Sequence, residues 1–376
     1  MRWIKKGSLF FGILSLGVSL IAWESRSFAL LLVAAAFALA SLAMQLASSQ
    51  AIATSMIAVL LSTALAEVFV GQLLEFDSVY YDPETGYTNT YSRFVEGFGS
   101  RPNPGSHNVR KLFKDGEVLY DVVYSIGADS YRQDLAAGPF DAHIFGGSFT
   151  FGEGLNDNET LSSFLLHEHG INVKNFGIHG YGVHQALYNI QNGMSSVDGL
   201  NILVTAPFHI PRSACMPSWV VGSFRYEISD DIAILNGVCP GGFLLNRIVS
   251  KSKIYSLINK ISGVNLYAIT DADIALYLAI INTIFQESIR NNSSFMIAYI
   301  DGLDQELEST SWTNETLMTH LKGISHSLID ITLADKTEYL SKSFFIHDKD
   351  RHPSAKANQA RANLISEGIL EYSPDS

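Results

Sequence analysis

A serine becomes a nucleophile when a base takes its proton and a third group holds that base in place. The stretch "HIFGGSFTFGEGL", His143 to Leu155, sets Ser148 among glycines directly after a short apolar run. Glycines this close to one hydroxyl imply a sharp backbone turn, which either only shapes a loop or presents the hydroxyl. Eleven histidines are available as a base, so position must choose. In "HDKDRHPSAKANQARANL", His347 to Leu364, Asp350 and His352 stand two apart in a loop before a helix predicted to start at Pro353. Ser148, His352 and Asp350 together have the residue types of an acyl-transfer site. Other groups read differently. His167 and His169 are two apart on a predicted helix and face different directions, as on a solvated face. His179 and His184 flank Gly180 and are candidates to line a cleft. Arg132 stands either at the cleft rim or in a surface salt bridge. No Cys-x-x-Cys or Cys/His spacing suggests zinc. Cys215 and Cys239 read as a disulfide or as two buried thiols.

The elements that must position these residues follow from the pattern after Pro139. "AHIFGG", "NVKNFGI", "LNILVTAP", "SFMIAYI" and "SLIDIT" read as short apolar strands, with helical stretches between them and one after the last. A long insertion, Phe208 to about Thr270, interrupts the alternation. Apolar strands alternating with helices predict an α/β fold with a parallel central sheet covered on both faces. Sites in such sheets lie at the carboxyl ends of the strands. Ser148 follows the first strand, and the loop with Asp350 and His352 reaches the same edge, so residues distant in sequence can meet. Residues 76–139 read as an irregular lead-in packing on the catalytic domain of 140–376, with one strand at Val118 to Ser125.

Charge is divided unevenly along the 376 residues. Charged residues make up 16% and hydrophobic residues 47%, against roughly 25% charged in soluble domains. The deficit lies between Gly7 and Gly71. Three apolar runs, about 7–23, 27–47 and 51–71, are predicted as transmembrane helices of a membrane anchor spanning 1–75. Glu67 is costly in lipid but stands near one end of its run. Arg2, Lys5 and Lys6 precede the first run and predict a cytoplasmic N-terminus. Three crossings then place the large domain on the periplasmic or extracellular side of a cell inner membrane. The net charge of −12 argues against a nucleic-acid partner.

Three motifs together resemble the SGNH (GDSL-like) hydrolases. "FGGSFTFGEG" is similar to their first block, "NFGIHGYGVHQAL" to their second, and "DRHPSAKAN" to their last. The resemblance implies a flavodoxin-like three-layer fold and no metal or organic cofactor. It implies Ser148 as nucleophile, His352 as general base and Asp350 as the residue orienting it. Gly180 resembles the second-block glycine whose N–H meets the oxyanion. The pattern departs in three places. Gly147 replaces the usual Asp before the serine. The last block is Asp-x-His, which leaves Asp348 as an alternative orienter. The third block lacks its Asn, and His209 or Arg212 stands near that place as a substitute hydrogen-bond donor.

The expected function is a membrane-anchored serine esterase or O-acyltransferase. It would act on ester-linked acyl groups of envelope or extracellular glycans through a seryl ester. A transferase would need a membrane acyl-donor partner protein. The alternative is a non-catalytic glycan-binding or assembly subunit that retains the fold.

Overall fold

The computed structural model describes residues 50–73, 79–81, 91–113, 116–240, 268–301, 307–333, 342–348 and 350–372, with isolated positions in 15–36 and 252–257. The chain divides into two compact units. One comprises Met1–Ser78 with Gly242–Leu266, the other Val79–Gly241 with Tyr267–Ser376. Apart from isolated positions, the apolar runs at 7–23 and 27–47 lie outside the described residues.

In the first unit the third apolar run forms helix α1, Gln50–Leu73. It is rich in Ala, Leu and Ile and has no Gly or Pro before Gly71, so nothing breaks it early. Val59, Leu65, Val68 and Phe69 are exposed, whereas Glu67 is buried. The Glu67 carboxylate accepts bonds from the Lys253 N–H at 2.7 Å and from the Ser252 hydroxyl. These donors satisfy a charge that would be costly if left alone. Among the described residues no helix is long and apolar enough to cross a membrane; within α1, side chains are described only over 57–71.

The second unit begins with more order than its composition predicts. Strands β1 (Val79–Tyr81), β2 (Ser92–Val95), β3 (Gly99–Pro102), β4 (Gly105–Phe113) and β5 (Val118–Ile126) occupy the region read as irregular. β4 and β5 form an antiparallel hairpin, and β1 pairs with the other edge of β4. The loop-rich flanks hide this hairpin, but its alternation is regular. Tyr120, Val122, Tyr124 and Ile126 point inward with Val109 and Phe113 of β4, and Phe151 closes that cluster.

The central sheet holds β6 (Ala142–Gly146), β7 (Val173–Gly177), β8 (Leu200–Thr205), β11 (Ser294–Tyr299) and β12 (Ser327–Asp330). All pairings are parallel, in the order β12-β11-β8-β6-β7. This is the flavodoxin-like order 2-1-3-4-5. Between β8 and β11 the insertion carries an antiparallel hairpin, β9 (Phe224–Ser229) with β10 (Ile232–Val238). The helices are α2 (Ser148–Phe151), α3 (Leu161–His169), α4 (Val183–Asn189), α5 (Ile210–Ser213), α6 (Asp271–Arg290), α7 (Asn314–Gly323) and α8 (Ala355–Tyr372). Phe145, Leu203 and Ile297 pack on one face with Leu187, Ile280 and Leu317. Ile144, Ile202 and Met296 pack on the other with Leu165, Ala362 and Ile365. Burial on both faces explains why the strands read as apolar runs rather than alternating ones. Cys215 and Cys239 form a disulfide inside the insertion.

The final helix starts later than the sequence implies. Pro353 ends β14 (Asp350–Pro353), which pairs with β13 (Phe345–His347). Ser354 then caps α8 by accepting the Ala357 N–H at 3.3 Å. Asp350 and His352 therefore lie on a short strand and not in a free loop, which fixes their alternation.

Candidate active site

The glycines before Ser148 serve close approach. A side chain at Gly147 would lie 2.9 Å from Arg212 Nη1, 2.9 Å from the Tyr181 carbonyl and 3.1 Å from His209 Nε2. At Gly146 it would collide with Thr150 Oγ1. β6 ends there and Ser148 opens the one-turn helix α2, which stops at Gly152 in the left-handed conformation, φ 82°. Asn175 of β7 pins that turn from below, donating from Nδ2 to the Thr150 carbonyl at 2.8 Å. Ser148 itself is only 6% exposed.

Ser148 Oγ lies 2.9 Å from His352 Nε2, and His352 Nδ1 lies 2.5 Å from Asp350 Oδ1. The structure thus brings together the three residues that the sequence nominates from opposite ends of the domain. Asp350, not Asp348, stands against the ring; the Asp348 side chain is exposed. Asp350 Oδ2 in turn accepts a bond from Lys111 Nζ of β4 at 2.8 Å.

Two further charged groups escape sequence reasoning. Lys111 comes from the lead-in hairpin. Glu153 follows α2 and is 6% exposed. Its Oε1 lies 3.2 Å from Lys111 Nζ and accepts the Tyr120 hydroxyl at 3.3 Å. Its Oε2 lies 3.0 Å from His179 Nδ1 and 3.3 Å from His352 Nε2. His179 Nε2 is 2.8 Å from the Tyr91 hydroxyl. The one signal in the sequence is an acidic residue between glycines in an otherwise apolar stretch.

The ionisation of these groups is coupled. Burial alone would push the charged form of His352 down, but the Glu153 and Asp350 carboxylates outweigh it and lift its pKa. Burial would raise Asp350, yet the His352 bond and charge and Lys111 bring it down to about 2. Glu153 is held well below the usual carboxylate range, against its own desolvation, by His352, His179 and Lys111. Lys111 is lifted because the two carboxylates overcome its burial. Glu153, Asp350 and His352 lie close enough to share a cation, but the Lys111 ammonium already bridges both carboxylates.

His209 stands beside Gly147 and is 3% exposed. Burial, reinforced by the Arg212 charge, drives its pKa well down, so the ring is neutral. Its Nδ1 lies 3.1 Å from Thr205 Oγ1, which is 2.9 Å from the Tyr277 hydroxyl. Every donor finds an acceptor when Tyr277 donates to Thr205 and Thr205 donates to Nδ1. That hydrogen-bond chain assigns the ring proton to Nε2, beside Gly147. Arg212 donates to the Tyr181 carbonyl at 2.7 Å. Gly180 adopts φ 74° in the turn after β7, and the Trp219 ring packs over it, 2.9 Å from where a side chain would begin.

Arg132 does form a salt bridge, its Nη1 lying 2.5 Å from Oδ1 of the partly exposed Asp157, but the guanidinium itself is not on the surface. It is buried and donates to the carbonyls of Phe151, Gly152 and Leu155, clamping the segment after Ser148. His184 is fully buried, with Nε2 3.3 Å from Ser223 Oγ. His169 bonds Asn363 and Ser366 of α8.

No protein-family model matches the chain, and no curated protein matches it. Solved structures similar to it include an acetyl xylan esterase from the rumen bacterium Butyrivibrio proteoclasticus, at 11% identity, 75% of this chain, 73% of that one and TM-score 0.36. Another is a carbohydrate esterase family 2 enzyme with a carbohydrate-binding domain from Corynascus thermopiles, at 11%, 78%, 99% and 0.35. A third is AlinE4, an SGNH-hydrolase family esterase, at 14%, 64%, 100% and 0.30. At this level the likeness carries no argument about activity.

Proposed function

We propose that this protein is an SGNH-type serine esterase or O-acyltransferase acting on acylated glycans. The observation that carries the reading is the continuous line from Ser148 Oγ to His352 Nε2 at 2.9 Å and from His352 Nδ1 to Asp350 Oδ1 at 2.5 Å. His352 takes the Ser148 proton on Nε2 as Oγ attacks the ester carbonyl. The tetrahedral oxyanion is met by the backbone N–H groups of Ser148 and Gly180 and by His209 Nε2–H, which stands in for the missing Asn. Such donors each contribute roughly 2.7–4 kcal/mol to the transition state in related sites. His352 then returns its proton to the leaving alcohol oxygen, leaving acyl-Ser148. Water or a sugar hydroxyl, deprotonated by His352, takes the acyl group and frees the serine.

Two features favour a glycan substrate. The Trp219 indole, 61% exposed, lies over Gly180 and offers a flat apolar face with a polar edge at that turn. The apolar runs of 1–75 support a membrane anchor with the domain outside the cytoplasm, where acylated envelope sugars are found. A transferase would draw its acyl group from a membrane partner protein; a binding subunit would have no use for the serine–histidine–aspartate line.

Fluorophosphonate labelling of the full-length protein in detergent tests the reading. Wild type is expected to label, and Ser148→Ala and His352→Ala are expected to abolish it. A folded wild type that does not label would favour the binding role.

A further inference from the structure

We propose that Glu153 is a second positioning carboxylate for His352, opposite Asp350, and that it holds the imidazolium formed when the ring takes the Ser148 proton. The inference rests on the serine-hydrolase reading above. Gly152 ends α2 in the left-handed conformation and turns the chain back, so that the Glu153 N–H bonds the Ser148 carbonyl at 3.0 Å. Nucleophile and carboxylate are thus joined through one helical turn, and Glu153 is placed by the same backbone that places Ser148. Its Oε2 then reaches 3.3 Å from the ring nitrogen that faces Ser148 Oγ.

The proton inventory gives the carboxylate its role. In the neutral ring Nδ1–H points to Asp350, and the Nε2 lone pair accepts the Ser148 hydroxyl while facing the Oε2 lone pairs. Once the Ser148 proton arrives, Nε2–H has Oε2 as an acceptor as soon as Oγ has left for the carbonyl. The charges agree. Facing His352 are Asp350, Glu153 and Lys111, with the Phe149 ring 5.5 Å away. Facing Glu153 from the other side are His179, Tyr120 and, beneath it, Tyr124 and Arg132. Burial lowers the His179 pKa and leaves that ring neutral, as donor through Nδ1. The Arg132 cation is paired with Asp157, so Asp350, Glu153 and Lys111 together leave one negative charge, which the imidazolium cancels. Asp350 with Lys111 alone would leave no net negative charge for the imidazolium; Glu153 supplies it.

A cost accompanies the arrangement. A pocket that favours the imidazolium also keeps the resting base protonated to higher pH, so labelling and turnover begin later on the alkaline side than they would without Glu153.

The test is Glu153→Gln in the full-length protein, with two readouts. The first is the imidazole titration of His352 by nitrogen NMR, which needs no substrate. The second is the pH profile of fluorophosphonate labelling. The His352 midpoint is expected to move to lower pH, the acid limb of labelling is expected to move with it, and the alkaline plateau is expected to fall at least about tenfold, as for a lost charge-assisted hydrogen bond. Glu153→Asp retracts the charge without removing it and is expected to move the midpoint in the same direction by less; it serves if the Gln variant does not fold. An unchanged midpoint in a folded variant overturns the proposal. A wild type that never labels, with a midpoint that still falls in the Gln variant, would overturn the hydrolase reading and leave the Glu153–His352 coupling standing.

Discussion

His352 and His209 both stand against the Gly147–Ser148 turn, and their surroundings drive them in opposite directions. His352 meets a carboxylate at each ring nitrogen, and its pKa rises. His209 has no carboxylate partner, and burial, reinforced by the Arg212 charge, lowers its pKa. One fold therefore holds an imidazole that gains a proton more readily and another that gains it less readily, about one serine. Opposed environments of this kind suit one ring to the proposed role of base and the other to that of neutral donor, without any difference in residue type.

The largest effect expected from breaking this contrast is at His352. Its replacement by Ala should lower the labelling rate on the order of 10⁴-fold or more, since a nucleophile and its base act as a unit. Labelling retained within tenfold would mean that another base serves Ser148. At His209 the Ala variant should lose about 10²-fold in kcat, with KM nearly unchanged, as for one missing oxyanion donor. Thr205→Val should lose less, because it frees the ring tautomer without removing the ring. Equal losses in kcat and affinity for both variants would instead place His209 in substrate binding.

Lys111 tests the charged side alone. Lys111→Met leaves two buried carboxylates facing each other without their cation, and should destabilise the domain by about 3 kcal/mol. The deficit measured by denaturant unfolding should narrow as pH falls, because the variant's carboxylates take up protons first. In wild type the signs run both ways. The Asp350 pKa is depressed to about 2, so its contribution is complete above the ordinary Asp value near 3.9 and is lost toward about 2. The His352 pKa is raised, so its contribution is complete below the ordinary His value near 6.5 and is lost as pH climbs through the raised one. A deficit that does not change with pH would show that Lys111 acts through packing only.

The two sides also differ in how far they can be read from sequence. Asp350 and His352 are legible because they are two apart, and Ser148 because glycines crowd it. The five sheet strands are legible because burial on both faces leaves them almost wholly apolar. Lys111 and Glu153 are not legible as partners: they meet His352 only through the hairpin of 105–126 and the reversal at Gly152. The composition of that hairpin's flanks reads as loop, so the element that brings in Lys111 is itself hidden. His209 is half legible. Its place after β8 nominates it as a donor, but its depressed pKa comes from burial first and Arg212 second, and its tautomer is set with Tyr277 from a helix beyond the insertion.

The smallest expected effect concerns substrate. Trp219 lies within the loop closed by the Cys215–Cys239 disulfide and is exposed over Gly180, so truncating it removes a surface and no core contact of the sheet. If an acylated pyranose stacks there, Trp219→Ala should raise KM for an acetylated oligosaccharide about three- to tenfold, in keeping with the 0.5–1.5 kcal/mol of an aromatic contact beyond its buried area. The same variant should leave a small aryl acetate unaffected, because that ester needs only Ser148, His352 and the oxyanion donors. Equal effects on both esters would mean that Trp219 supports the Gly180 turn. That result would move the indole from the substrate side of the comparison to the oxyanion side.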